Sequence, residues 1–409
     1  MGMTLTNRLI VRRSSCIVRR NTVIFAHEVA ELKKIVVAPD SFKGTMSSIE
    51  VCNIIEQGIK KVRTDLEVVK IPIADGGEGT VDAFLTAAGG TRVNVRVKDP
   101  LLREIESFYG ILPDQKTAVI EMASASGLPL VETEKNPCLT TTYGTGELML
   151  DAVRRGCSKI IIGIGGSATN DGGIGMAAAL GARFLDARGE SIPLNGGGLE
   201  RLARIDLSGI DPRIKDCEIL VACDVDNPLY GENGAAYIFA PQKGADPAMV
   251  EYLDRNLRHY AEILKADAGI TVQDIPGTGA AGGLGAGLLA FTPAKLKPGI
   301  EIILDSVGFD QLVSDAALII TGEGKIDGQS LRGKVPVGIA DRAKRSKVPV
   351  IAIVGDIGEG IDQVYQRGIT AVFSINRVAV PFEVARQRCR ADLQASVEAL
   401  LRLMTATQW

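Results

Sequence analysis

Histidine is nearly absent from this 409-residue chain: His27 and His259 are the only two. Neither a histidine-based nucleophile triad nor a multi-histidine metal cage can be assembled from them. Aromatic residues are scarce at 4%, and 46 Lys plus Arg stand against 49 Asp plus Glu, for a net charge of −3. A general nucleic-acid binder needs stacking rings and a basic surface, so both numbers argue against one. No apolar run approaches the ~18 residues of a membrane span. The seven cysteines (Cys16, Cys52, Cys138, Cys157, Cys217, Cys223, Cys389) are an odd number without a C-x-x-C pair. That disfavours a disulfide framework or zinc ribbon and points to a reducing, cytoplasmic compartment. Cys223, in an apolar run, reads as a small buried thiol.

What is abundant is glycine, 46 residues gathered in clusters, which indicates tight backbone loops rather than disorder. The length implies about two or three domains. Residues 1–34 stand apart, with Arg8, Arg12, Arg13, Arg19, Arg20, Lys33 and Lys34 against only Glu28 and Glu31. Such a start resembles a transit peptide, yet its clean apolar stretch, Val23–Ala26, is too short for a secretory core. An extraneous or disordered extension over 1–33, with translation starting near Leu32, is the simpler expectation.

From Lys34 onward short β-branched runs alternate with amphipathic stretches, as in an α/β protein. Ile35–Ala38 reads as a buried strand, and Ser47-Ser48-Ile49-Glu50 as a capping box opening a helix with Val51, Ile54, Ile55, Ile59 and Val62 on one face. Val68–Ala74 completes a strand–helix–strand unit. In the middle, Arg92–Val97, Ile105–Leu112 and Thr117–Met122 have short links, which suggests an antiparallel or mixed sheet. Asp246-Pro247 opens a long helix that carries His259 in a structural setting. The α/β rhythm returns at Ala317–Thr321, Val348–Val354 and Ala371–Ile375. The simplest architecture joins both chain ends in one doubly wound domain, 34–90 plus 271–409, with a second α/β domain, 91–270, inserted.

Five polar loops follow apolar strands, the place where open α/β sheets bind ligands. Asp40-Ser41-Phe42-Lys43-Gly44 offers a carboxylate, a hydroxyl and a cation; an anion subsite and an ordinary turn are equally good readings. Asp75-Gly76-Gly77-Glu78-Gly79 sets two carboxylates among glycines, whose repulsion a metal or ligand hydroxyl would relieve. Gly165-Gly166-Ser167-Ala168-Thr169-Asn170-Asp171-Gly172-Gly173 can cradle phosphate or carboxylate oxygens with backbone N–H groups. Asp224-Val225-Asp226-Asn227 can hold a divalent cation. Thr321-Gly322-Glu323-Gly324-Lys325-Ile326-Asp327-Gly328-Gln329-Ser330, continuing to Lys334, combines acids, hydroxyls and lysines suited to a phosphate with its metal. Gly328 to Lys334 is a near miss to a P-loop, with Val335 where a hydroxyl is needed. Gly277–Gly282 spells G-x-G-x-x-G and Gly163–Ala168 its alanine variant, so a dinucleotide-dependent dehydrogenase stays open; Gly282–Gly287 can equally serve tight helix packing.

Ile35–Lys43, Ile71–Gly79, Gly165–Gly173, Val221–Leu229, Ala240–Ala245 and Ile319–Asp327, in that order, resemble the bacterial type I glycerate kinase family; the extension before Lys34 departs from it. The resemblance implies a discontinuous flavodoxin-like domain interrupted by a mixed-sheet α/β domain, with the site between them. It also implies ATP- and Mg2+-dependent phosphorylation of D-glycerate to 2-phosphoglycerate in the cytoplasm. On that reading Asp171 or Asp40 accepts the hydroxyl proton. Lys43, Ser41, Asp75, Glu78, Gly165, Gly166, Ser167 and Thr169 surround glycerate or the transferred group. Asp224 and Glu323 bind Mg2+, while Gly322, Lys325, Asp327, Ser330 and Lys334 meet ATP. Expected partners are small molecules alone, neither nucleic acid nor membrane, with a homodimer left open. The rivals are an NAD-dependent hydroxy-acid dehydrogenase and a non-catalytic sugar-acid binding protein.

Overall fold

The structure, a computed structural model, describes residues 32–74, 76–332 and 334–406 and the backbone of two short strands at 16–19 and 22–25. The expected N-terminal extension therefore lies almost wholly outside the described residues. Eleven strands build the two large sheets: β1 (Lys34–Val37), β2 (Glu67–Lys70), β3 (Thr91–Lys98), β4 (Glu104–Ile111), β5 (Thr117–Glu121), β6 (Lys159–Gly163), β7 (Glu218–Ala222), β8 (Ala294–Lys297), β9 (Leu318–Thr321), β10 (Val350–Val354) and β11 (Ile369–Ser374).

One sheet runs β11-β10-β9-β1-β2, parallel throughout. Counted along the chain this is the 2-1-3-4-5 order of flavodoxin-like sheets, with its switch point between β1 and β9. β1 and β9 are buried on both faces, which is why Ile35-Val36-Val37 and Leu318-Ile319-Ile320 are unbroken apolar runs. The other sheet runs β8-β7-β6-β5-β4-β3. It is parallel from β8 to β5 and antiparallel from β5 through β4 to β3, the mixed sheet expected for the middle of the chain. Edge strand β3 alternates arginines and asparagine with valines, as a half-solvated antiparallel strand does.

Nine principal helices pack on these sheets: α1 (Ser48–Val62), α2 (Thr80–Ala88), α3 (Tyr143–Arg154), α4 (Ile174–Ala179), α5 (Pro247–Asp267), α6 (Ala280–Phe291), α7 (Gly299–Ser306), α8 (Val335–Ala343) and α9 (Phe382–Ala406). Odd and even residues of each strand face different cores. Ile35, Val37, Ile320 and Ile353 pack under α1 and α9. Ile120, Ile160, Ile162 and Val221 pack under α3, α4, α5 and α6. Val36, Ile319 and Ala352 of the first sheet share a third core with Val119, Ile161 and Leu220 of the second, through α2, α7 and α8. The two sheets thus enclose a common helix layer.

Two expectations need correction. The middle sheet does not end at 270, because β8 pairs in parallel with β7 and carries it to Lys297; the glycine-rich 277–287 stretch packs on that sheet's own core. The capping box is half formed. Ser47 Oγ accepts from Glu50 N, but the Glu50 carboxylate turns away to accept from Arg390 Nε at 2.6 Å, tying α1 to α9. Asp246 caps α5 as read, accepting from Met249 N at 2.8 Å, and His259 Nε2 lies 2.6 Å from the Leu202 carbonyl oxygen, a structural contact.

Candidate active site

The carboxyl ends of strands from both sheets open onto one cleft of about 1040 Å³. The loop after β1 contributes Asp40, Ser41 and Lys43; the one after β2, Ala74 and Gly77; the one after β6, Gly165, Gly166 and Ser167. Asp224 and Asp226 follow β7, and Glu323, Gly324 and Lys325 follow β9, with Lys334 just before α8. The loops after β1 and β9 flank the switch point, where strand order reverses and the backbone ends leave a crevice.

Glycine makes the junction possible. Gly165 N donates to Gly76 O at 2.9 Å, and a Cβ on Gly165 would stand 2.8 Å from Gly77 Cα. A Cβ on Gly163 would meet Gly76 O at 2.4 Å. Two loops therefore stack backbone on backbone, and any side chain would force them apart. Gly166 takes φ +73, a left-handed conformation that glycine adopts freely. Among the described residues, the N–H groups of Gly166 and Ser167 have no acceptor. Consecutive free N–H groups beside a left-handed residue form an anion-binding concavity.

Glu323 is a strongly perturbed acid in the cleft. It is 5% exposed, and its Oε1 accepts from Ser330 Oγ at 2.8 Å while Oε2 lies 3.8 Å from Lys334 Nζ. Burial pushes its carboxyl up to about 7; Ser330 and Lys334 oppose this, and Asp40 and Asp327 add to it. A folded value above the unfolded one means that the protonated form is favoured on folding. This contribution is complete below the ordinary carboxylate range and is lost as pH rises through 7. Glu323→Gln should therefore remove a fall in unfolding free energy of up to about 3 kcal/mol between pH 4.5 and 8, checked by urea titrations of ligand-free protein at both pH values.

Other anticipated residues divide. Asp40, with Oδ1 accepting from Ser41 N at 2.6 Å, reaches the cleft together with Lys43. Asp224 also reaches it, although its Oδ1 accepts from Gly299 N at 2.8 Å, where a carboxylate stabilises the start of α7. Lys334 lies between Glu323 and Asp327, 3.8 and 4.0 Å away. Among the described residues no three Asp, Glu, His or Cys side chains form a cation-ready cluster.

Asp171 is not in the cleft wall. It is fully buried, accepting from Thr142 N and Oγ1 (both 2.8 Å), Gly173 N (3.1 Å) and Gly175 N (3.2 Å). Burial raises its carboxyl above the ordinary range, and those donors pull the other way. Its role is to knit the Thr142 turn to the start of α4. Thr169 is likewise buried, Gly322 packs against Ile353 O, and Glu78 is exposed outside the cleft lining. Ser330 and Asp327 lie outside the cleft lining and contact Glu323 and Lys334 respectively. Asp75 lies outside the described residues. Cys223 is half-buried, packing against the second sheet's core while also lining the cleft.

The sequence reading gave no role to Lys243, Gln242 or Phe239, all of which line the cleft. Lys243 sits in the Ala240–Ala245 run, but a lysine in a Pro-Gln-Lys-Gly turn carries no sequence mark of burial. The Gly277–Gly282 motif and the glycines that follow it serve packing. A Cβ on Gly282 would meet Thr169 O at 2.0 Å and one on Gly287 Gly172 O at 2.6 Å, and no strand leads directly into Gly277 as a dinucleotide turn requires.

The profile of the Glycerate kinase family matches residues 35–405. A Glycerate 2-kinase of Escherichia coli is 53% identical over 343 residues, 84% of this chain and 90% of that protein. A Glycerate kinase of Halalkalibacterium halodurans is 53% identical over 379 residues, 92% of this chain and 99% of that one. A crystal structure presented as a glycerate kinase 2 of Salmonella typhimurium LT2 superposes with a TM-score of 0.82 at 46% identity. It covers 92% of this chain and 100% of its own.

Proposed function

The chain belongs to the glycerate kinase family, and from that premise we propose that it phosphorylates D-glycerate with Mg-ATP in this cleft, at the 2-hydroxyl. The observation that carries the reading is the gathering of Asp40, Lys43, the Gly165–Ser167 loop, Glu323, Lys325 and Lys334 around one cleft. Phosphoryl transfer asks for positioning and charge neutralisation rather than covalent catalysis, so the scarcity of histidine is no obstacle.

Asp40 takes the proton of the attacking hydroxyl, and Lys43 neutralises the group in transfer. Lys325 and Lys334 hold the nucleotide phosphates. Mg2+ is commonly held by one or two carboxylates, with phosphates and water completing its shell. Asp224 and Glu323 supply such acids here, and the ion would offset the repulsion among phosphate oxygens. One sheet draws on both chain ends and the other on the middle, which supports an inserted-domain arrangement with the cleft at the junction. No helix among the described residues is long and apolar enough to cross a membrane; a cytoplasmic setting belongs to the same proposal.

The test is ADP release from purified protein with Mg-ATP and D-glycerate, with products resolved by phosphorus NMR. A glycerate-dependent resonance of the 2-phosphate is expected. A 3-phosphate would overturn the regiochemistry, and absence of glycerate-dependent ADP would overturn the substrate.

A further inference from the structure

Lys243 is 1% exposed, at the end of a tight turn, Pro241–Lys243, that Gly244 terminates at φ +96. Its Nζ donates to Ser167 Oγ and to the Thr169 carbonyl, both at 2.7 Å. Neither acceptor is charged. A buried ammonium held by neutral partners is costly, and burial brings Lys243 down to about 7, with the Asp171 carboxylate opposing that shift from a distance.

The direction of these bonds has a consequence at the cleft wall. A hydroxyl that accepts from an amine keeps its own O–H to donate. Among the described residues the Ser167 O–H has no acceptor, and neither do the N–H groups of Gly166 and Ser167. All of these residues line the cleft. Three donors are therefore grouped above one buried amine, an arrangement that suits a carboxylate and leaves a neutral ligand group undersupplied with acceptors.

We propose that Lys243 is the positioning residue of a carboxylate cradle: it pins the Ser167 hydroxyl and the Thr169 carbonyl from beneath, so that the Ser167 O–H and the Gly166 and Ser167 N–H groups face the carboxylate of the bound hydroxy acid. The proposal rests on the substrate reading above. An anion in the cradle also favours the charged amine, so binding near neutral pH draws a proton onto Lys243. The other charged groups on the cleft side are Asp40, Asp224, Asp226 and Glu323 with Lys43, Lys325 and Lys334; Glu78 stands beside the cradle, its Oε1 3.7 Å from where a Cβ on Gly166 would be, and Asp171 lies on the core side.

Lys243→Met, Ser167→Ala and the double variant of the full chain test it. Each single change is expected to raise KM for glycerate about 10- to 100-fold, the worth of a charge-assisted hydrogen bond, with kcat and KM for ATP within about threefold. The double variant is expected to be little worse than the worse single one, because both changes act through one hydroxyl. Calorimetry of glycerate binding at pH 8, in two buffers of different ionisation enthalpy, should show more proton uptake by the wild type than by Lys243→Met, in which Glu323 remains the cleft group near 7. An unchanged glycerate KM, a shift in KM for ATP instead, additive effects, or equal proton uptake would each overturn the assignment. Should Lys243→Met fail to fold in a thermal melt, Ser167→Ala decides alone through the same glycerate KM. A wild type that neither binds nor turns over glycerate would overturn the substrate reading and this inference together, whereas active wild type with unaffected variants removes only the inference.

Discussion

Replacing Asp40 by asparagine is expected to lower kcat by about two to four orders of magnitude, the share that a positioned general base contributes, while the fold is retained. The substitution is a sharp one because Asp40 Oδ1 already accepts from Ser41 N at 2.6 Å. An asparagine carbonyl can keep that bond and so keep the loop, yet it cannot take a proton. Asp40 N also donates to Gly322 O at 2.8 Å, which ties the loop to the end of β9 independently of the side chain. Steady-state rates with saturating glycerate and Mg-ATP, beside a thermal melt, give the answer. A kcat within tenfold of wild type would take Asp40 out of the chemistry.

Asp171→Ala is expected to act in the opposite way, lowering the unfolding free energy by about 3–5 kcal/mol, the cost of leaving several buried donors without an acceptor. The deletion leaves Thr142 N and Oγ1, Gly173 N and Gly175 N without their acceptor in a fully buried setting, and each orphaned donor carries a desolvation cost. Urea unfolding measures the loss. Activity per folded molecule should stay close to wild type at low temperature and fall with the folded fraction on warming. A stable variant with turnover reduced a thousandfold would return Asp171 to the role of proton acceptor.

The contrast between these two aspartates marks the limit of what residue order conveys. Both follow an apolar strand, and both stand among small polar residues, so they look alike as letters. Asp40 ends at a switch point open to the cleft. Asp171 lies a few residues further along its loop, where Gly172 and Gly173 let α6 approach until a Cβ on Gly283 would touch Gly172 Cα at 2.8 Å. The nine-residue run that reads as one ligand loop is thus divided: Gly165–Ser167 faces the cleft and Ala168–Gly173 is core. Lys243 is the converse case, a polar letter in a turn that the fold buries beneath that same loop.

Much of the architecture needs only the order of residues. Unbroken β-branched runs such as Ile35-Val36-Val37 must be buried on both faces and therefore lie in parallel sheets. The Thr91–Lys98 alternation must lie at a half-solvated edge, Ser47 and Asp246 must cap helices, and polar glycine loops after apolar strands must hold the chemistry. These are local consequences of periodicity, capping and backbone freedom, and they place Asp40, Glu323 and Gly165–Ser167 in loops that open onto the cleft. Tertiary structure alone decides which residues of those loops meet. The pairing of β8 with β7, the turn of Glu50 toward Arg390, the burial of Asp171 and the placement of Lys243 under Ser167 all join segments tens to hundreds of residues apart. Such contacts arise from how two sheets share one helix layer, and no periodicity within a segment records which distant surface will press against it.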